Sequence, residues 1–316
     1  MPSFYQVDLY RDLVRTGAID LQIVFAQDIG KTRVSMGWHS PLEDANFPYR
    51  ILHGNRSLIE AARLAREQKE RIHIVNGIWA VPSFALVLSI LRGTKSKYLI
   101  YSEAPNPLIR RSTFKSTIVA QYARWIAPHG GLLGIANFSR NFYRQFGFKE
   151  AHIYEFAYFE TEPAQQPQPA RAEEIGIVFV GQLIPRKGID LLLTAFAELY
   201  REEPRLRLTL IGEGAQRAAY EAQANTLDIS EAVYFAGTLP SDQIRERIAQ
   251  THLLVLPSRY DGWGIVANEA LSVGVPVVIS DMCGAAELIQ HEKNGYVFPS
   301  ENSSARRYDR YITTSA

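Results

Sequence analysis

The segment Pro257-Ser-Arg-Tyr-Asp-Gly-Trp-Gly-Ile-Val-Ala-Asn-Glu-Ala270 places two carboxylates, Asp261 and Glu269, eight positions apart. Asp261 follows the apolar run Leu253–Leu256, and Glu269 is expected about two turns into a helix that Gly264 opens. Eight residues on a helix return a side chain to nearly the same face, so both acids can enter one pocket. There one carboxylate can grip sugar hydroxyls and the other a ribose. The plainer alternative is an N-terminal capping acid with a solvated helix glutamate, and the pair alone leaves the two readings equal.

Four glycine-bearing turns each follow an apolar run of strand length: Gly181-Gln-Leu-Ile-Pro-Arg-Lys-Gly188, Gly212-Glu-Gly214, Gly237-Thr-Leu239 and Asp261-Gly-Trp-Gly264. Glycine lets a backbone approach a ligand closely, and the helix N-termini that follow offer N–H groups to phosphate oxygens. Arg186 and Lys187 carry charge suited to a diphosphate. Glu213 and the Gly237–Leu239 turn are candidates for a base pocket. One such turn is common at a strand end; four on one rim together point to a phosphate-bearing ligand.

A parallel sheet is needed to hold that rim. In the second half short β-branched runs alternate with stretches apolar at helical spacing, and this predicts strands at 175–180, 206–211, 233–235, 253–256, 275–280 and 295–298. Helices are expected at 189–200, 215–226, 241–249 and 264–273, with a short one opening at Glu287 and Leu288. This is a doubly wound α/β pattern, whose ligand lies beyond the C-terminal strand ends. The first half is less regular: strands at 21–26, 72–75 and 98–102, and helices near 6–16, 57–68, 82–91 and 111–126. The stretch 162–172, rich in Pro and Gln, reads as a linker between an N-terminal domain, 1–161, and a C-terminal one, 173–316.

The chain has 316 residues, 47% hydrophobic and 21% charged, enough for two folded domains and against disorder. Cys283 is the sole cysteine, so no intrachain disulfide forms and no Cys/His metal cluster is expected; a reducing cytoplasm is the natural compartment. The most apolar stretch, 78–91, is shorter than the roughly 20 residues that cross a bilayer, and no signal peptide is expected at Met1. Basic residues outnumber acidic ones 20 to 14 in residues 1–165, and the balance reverses to 14 against 19 in 166–316. Between Arg92 and Lys149 ten basic residues face only Glu103, which suits an anionic membrane surface or lipid-linked phosphate, or forms a merely solvated face. Phe114, Ile118, Tyr122 and Trp125/Ile126 lie there at helical spacing, either as a core stripe or as a basic amphipathic helix on a membrane.

At this point the sequence resembles family 4 of the retaining glycosyltransferases, which have two facing Rossmann-like domains (the GT-B fold). The resemblance covers roughly 175–300 well and the first half loosely. It rests on Phe179-Val-Gly-Gln-Leu-Ile-Pro-Arg-Lys-Gly188, Leu210-Ile-Gly-Glu-Gly214, Val233-Tyr-Phe-Ala-Gly237, Leu256-Pro-Ser258, the Asp261/Glu269 pair, Gly274-Val-Pro-Val-Val278, Gly284-Ala-Ala-Glu287 and Asn294-Gly295. The ordered set favours the functional reading of the two acids.

The resemblance implies a nucleotide-sugar donor, a polysaccharide, lipopolysaccharide or lipid-linked glycan acceptor, transfer with retention, no cofactor and no metal. It places Asp261 at the donor sugar and Glu269 on the ribose. Lys187 falls on the diphosphate, with Gly181, Arg186, Gly212, Glu213, Gly237, Leu239, Gly262, Trp263, Gly264, Ile265 and Val266 around the donor. This sequence departs from the family pattern in having Asp261 where Glu is commoner and Gln182 where arginine is common. It also has Ser102 and Glu103, the candidate acceptor-side residues, where many members place a histidine. No strand is legible ahead of the first helix and no apolar closing helix after 303, so a chain short of both elements, and slowed in turnover, is expected. A nucleotide-sugar epimerase on the same scaffold and a non-catalytic sugar-nucleotide-binding protein remain alternatives, while a nucleic-acid partner has no reading motif to support it.

Overall fold

A computed structural model of the chain describes residues 4–28, 40–43, 45–52, 57–78, 82–108, 113–159 and 173–300. The expected linker, Arg110, Arg111 and the segment after 300 lie outside the described residues. The described residues divide into two compact units, one up to 159 and one over 173–300.

The second unit is a single parallel sheet of β7 (Ile175–Val180), β8 (Leu206–Ile211), β9 (Val233–Gly237), β10 (Leu253–Leu256), β11 (Val277–Ser280) and β12 (Gly295–Phe298). Its strand order is β12-β11-β10-β7-β8-β9, so the chain reverses direction of winding between β7 and β10. The strands read as continuous apolar runs because helices cover both faces of such a sheet. Four helices are α6 (Ile189–Glu202), α7 (Arg217–Thr226), α8 (Ser241–Ala249) and α9 (Val266–Ser272). Ile189, Leu192, Leu193, Phe196 and Ala197 form the buried stripe of α6. Each large apolar side chain there contributes about 1.5–3 kcal/mol by leaving water.

In the first unit β1 (Ile23–Phe25) and β2 (Tyr49–Ile51) pair in parallel, and β3 (His73–Asn76), β4 (Tyr98–Ser102), β5 (Gly131–Ile135) and β6 (Ile153–Phe156) form a separate parallel sheet. The helices are α1 (Phe4–Thr16), α2 (Ser57–Glu67), α3 (Pro82–Gly93), α4 (Thr113–Ile126) and α5 (Asn137–Arg144). One core gathers Leu88, Leu91, Ile100, Ile126, Leu132 and Tyr143; a smaller one gathers Val7, Ile23, Phe25 and Phe47.

Three local expectations change. Glu287 and Leu288 close a 3-10 turn, Gly284–Leu288, instead of opening a helix. The fifth strand of the second unit starts at Val277, not at 275. The stripe on α4 splits: Tyr122 and Ile126 face the core, whereas Ile118 and Trp125 stay 50% and 45% exposed.

Candidate donor site

The rim of the second sheet is tied together by its glycines. Gly181 N–H donates to the Ile211 carbonyl at 2.9 Å, and Gly212 N–H to that of Gly237 at 2.8 Å. A Cβ on Gly212 would lie 2.0 Å from the Gly181 oxygen, and φ there is +136°, so only glycine fits. Leu183 N–H donates to the Glu213 carbonyl at 2.9 Å, which joins the first two turns directly.

Across β7 and β10 a second set of contacts fastens the first turn to the acidic loop. Lys187 ends a 3-10 turn, Pro185–Lys187, and its Nζ donates to Asp261 Oδ2; both side chains are largely shielded from water, at 13% and 14% exposure. Arg186 Nη1 donates to the Tyr260 carbonyl at 2.7 Å and lies 3.7 Å from Asp261 Oδ1. Asp261 thus sits between two cations. Behind them Arg259 forms a two-point pair with Asp190, at 2.7 Å on each side, and holds the Asp190 carboxyl below the usual carboxylate range. Arg259 also donates to the Pro185 carbonyl at 2.9 Å.

Asp261 is anchored as backbone too, with its N–H donating to Met282 O at 2.9 Å and its carbonyl accepting from Gly284 at 3.2 Å. It therefore belongs to a strand-like bridge with Cys283, not to a helix. Glu269 is correspondingly in the first turn of α9 and buried, not two turns in, so helical periodicity does not relate the two acids. The loop that carries Asp261 past Gly264, at φ +90°, does the positioning instead. The Cβ site of Gly264 lies 3.8 Å from Asp261 Oδ2. Among the described residues the N–H groups of Gly264, Ile265 and Val266 donate to no protein acceptor, as expected where a helix starts.

Trp263 is turned inward, 3% exposed, with Nε1 donating to Asn268 Oδ1 at 2.8 Å, so its ring braces the loop. Cys283 is buried beside Asp261, and burial first, then that carboxylate, pushes its thiol up to about 12. Glu213 reaches Gly237, whose Cβ site is 3.4 Å from its Oε1, and pairs with Arg217, which lies 5.9 Å over the Phe235 ring. Arg217 and Arg259 were not singled out by the sequence; the Glu213–Arg217–Glu221 spacing of four was the available signal for the first.

A model of the glycosyl transferases group 1 family matches residues 160–313. The second half of the chain is thus similar to the group 1 glycosyltransferases. An uncharacterized glycosyltransferase of Methanocaldococcus jannaschii is 35% identical over 143 residues, 45% of this chain and 36% of the relative. A GDP-mannose-dependent alpha-(1-6)-phosphatidylinositol monomannoside mannosyltransferase of Mycobacterium tuberculosis is 29% identical over 150 residues, 44% of this chain and 39% of the relative. The matched part of this chain thus spans well under half the length of those curated relatives. The crystal structure of Anabaena HepE in complex with UDP superposes with a TM-score of 0.70 at 16% identity, over 98% of this chain and 86% of that one. That likeness establishes the fold of both units as Rossmann-like, in the GT-B class.

In the first unit, the candidate acceptor-side residues Ser102 and Glu103 both make contacts within that unit. Ser102 is buried, its hydroxyl donating to the Glu103 carbonyl at 2.8 Å and lying 2.9 Å from the Tyr143 hydroxyl. Glu103 accepts from the Tyr158 hydroxyl at 2.8 Å, and burial with that carboxylate pushes the phenol far up. Both side chains are engaged within their own unit. Among the described residues no helix is long and apolar enough to cross a membrane.

Proposed function

We propose that the protein is a retaining glycosyltransferase that moves a sugar from a nucleotide donor to a polysaccharide, lipopolysaccharide or lipid-linked glycan. The second unit holds the donor and the first unit the acceptor. The observation that carries this reading is the shielded Lys187–Asp261 pair, flanked by Arg186, at the point where the strand order of the sheet reverses. Ligands of doubly wound sheets bind at that switch point, beyond the C-terminal strand ends.

The chemistry follows from charge. Cleaving a nucleotide-sugar bond leaves a nucleoside diphosphate, and Lys187 and Arg186 are placed to neutralise the charge that develops on it. Before the donor arrives, Asp261 balances those cations, which keeps a poorly hydrated ammonium paired. A diphosphate takes over that pairing, and the Asp261 carboxylate becomes free to accept from the hydroxyls of the sugar. Glu269, expected on the ribose, is held in the first turn of α9. The open N–H groups at Gly264, Ile265 and Val266 add donors on the same loop. Two cations on this rim supply the neutralisation that a metal would otherwise provide, so no metal or cofactor is assigned. Glu213, Gly237 and Leu239 border the position expected for the base.

The test is a thermal-shift panel of UDP-, GDP-, ADP- and dTDP-sugars with the wild type, Lys187→Ala and Glu269→Ala. A ligand at a hundred times its dissociation constant stabilises its site by about 2.7 kcal/mol. One nucleotide is expected to raise the melting temperature, with the shift reduced in both variants. An equal shift in wild type and Lys187→Ala would remove the pair from the donor site. Incubation with the responding donor and no acceptor distinguishes the epimerase, which would release an epimerised sugar.

A further inference from the structure

The turn between α3 and β4 carries basic side chains that the fold leaves without a counter-charge. Arg92 lies in the last turn of α3, Lys95 and Ser96 belong to the turn itself, and His129 ends the 3-10 turn Ala127–His129 that follows α4. Together with Gly93 they line one open cavity of about 440 Å³. Among the described residues no carboxylate pairs with Arg92, Lys95 or His129. Glu103, the sole acid between 92 and 149, lies just past the other end of β4 and accepts from Tyr158.

Cations at the C-terminal end of a helix ordinarily offset its dipole and its open carbonyls. Here the turn closes those carbonyls by itself. Thr94 N–H donates to Ile90 O at 2.8 Å and Ser96 N–H to Leu91 O at 2.9 Å, and the Thr94 hydroxyl donates to Ile90 O as well, at 3.0 Å. Arg92 is fixed sideways instead: its Nε donates to the Trp125 carbonyl at 2.8 Å, and its guanidinium carbon lies 4.5 Å from the centre of the Trp125 ring. The plane of the guanidinium is thereby set, and among the described residues its two Nη groups have no protein acceptor. The Ser96 hydroxyl, buried, is braced 2.8 Å from that of Thr94. Lys95 holds φ at +57°, the helix-ending conformation that glycine adopts more easily. A charged residue kept at a backbone cost points to a use for its ammonium group.

We propose that this cavity is a binding site for a phosphate group, as a phosphomonoester or inorganic phosphate. Such a group presents at least three acceptor oxygens and carries about two negative charges near neutral pH. The pinned Arg92 fork suits two of those oxygens, and Lys95 adds a point charge. The Ser96 hydroxyl and an N–H of His129 supply further donors. A phosphodiester has fewer open oxygens and less charge, so it is the poorer ligand. The site stands at the N-terminal end of β4, whereas Ser102 and Glu103 stand at its C-terminal end, on the order of 15 Å away along the strand. It therefore anchors a ligand away from the candidate acceptor-side residues, and it does not rest on the donor reading.

Two sources present this group: a phosphomonoester lipid headgroup and a phosphate in solution. The full chain is titrated with sodium phosphate, against sodium chloride at equal ionic strength, while NMR follows the backbone amides of Gly93, Lys95, Ser96 and His129. Saturable shifts are expected with phosphate alone. Lys95→Gly removes the ammonium and relieves the left-handed backbone, so it is expected to weaken phosphate binding at least about tenfold with the melting temperature unchanged or raised. In a second arm the protein is sedimented with phosphatidylcholine vesicles that contain phosphatidic acid, or phosphatidylserine at equal surface charge. A preference for phosphatidic acid that Lys95→Gly abolishes assigns the lipid headgroup, and amide shifts without that preference assign the phosphate in solution. The absence of both responses overturns the proposal, as do responses that Lys95→Gly leaves intact. Shifts at Gly264, Ile265 and Val266 report the proposed donor rim separately, so failure of one site is not mistaken for failure of the other.

Discussion

A methyl group on Gly212 would fall against the Gly181 carbonyl oxygen with φ at +136°, whereas Gly274, at φ +77°, has nothing within 4 Å of its Cβ site. The two glycines therefore separate close approach from backbone conformation. Gly274→Ala should cost about 1–2 kcal/mol, the left-handed penalty alone. Gly212→Ala must also push apart two turns of the donor rim and should cost clearly more, with a donor-induced shift that is weakened as well. Urea unfolding of both variants checks the order; equal losses would mean that the rim contact is slack. Cys283 gives a second residue-scale prediction. With its thiol pushed up to about 12 in a buried site, it should resist maleimide at neutral pH and react only when the second unit opens. Saturating donor should slow that reaction further. Prompt labelling of the folded protein would show that the loop around Asp261 opens locally.

At the scale of elements, the clasp between Arg259, after β10, and Asp190, in the first turn of α6, joins two segments of the proposed donor rim. Arg259→Met should lower stability by about 1 kcal/mol at neutral pH, the upper range for a partly exposed two-point pair. The sign with pH follows from the depressed Asp190 carboxyl. Its contribution is complete above the ordinary aspartate value of about 4 and disappears as pH falls through the lowered folded value. The gap between wild type and Arg259→Met should therefore close on acidification below about pH 4, which melting curves against pH would show. A gap that persists at low pH would assign the effect to packing. This clasp was invisible in the sequence, since its partners are 69 positions apart and neither stands at a diagnostic spacing. Elements of the second unit were far more legible. Runs such as Ile175–Val180 are β-branched and bounded by glycine, and α6 repeats its apolar residues at helical spacing. In the first unit β5 was missed, because Gly131 and Gly134 dilute its apolar run where Leu99 and Arg140 pack close. α5 was missed because Asn137-Phe-Ser-Arg-Asn-Phe-Tyr-Arg144 begins after Ala136 at φ +65° with no capping side chain. The acids Asp261 and Glu269 were singled out for a reason that the structure replaces: a glycine-hinged loop, not helical repetition, sets their places.

At the scale of the whole molecule, charge is unevenly shared, with the basic excess in residues 1–165 and the acidic excess in 166–316. The described part of the basic stretch shows how such an excess can act. Trp125 is 45% exposed and Arg92 stacks 4.5 Å over its ring, while Lys95, Lys97 and Arg124 stand exposed nearby in sequence and Ile118 adds an exposed aliphatic group on the same helix. An aromatic ring beside exposed cations suits the interface of an anionic bilayer, where each basic residue contributes about 1 kcal/mol and the ring enters the headgroup region. The protein should then sediment with vesicles containing phosphatidylserine and not with pure phosphatidylcholine. Reversing Lys95 and Lys97 to glutamate removes two positive charges and adds two negative ones, and should weaken vesicle binding by at least about tenfold. Trp125→Ala should weaken it at low and high salt alike, whereas the lysine reversals should matter little near 1 M salt, where the Debye length is about 3 Å. Neither change touches the donor rim, so the donor-induced thermal shift should stay intact in both. Binding that is equal on neutral and anionic vesicles, or absent from both, would leave the basic stretch as a solvated surface and would move the acceptor from a membrane to a glycan free in solution.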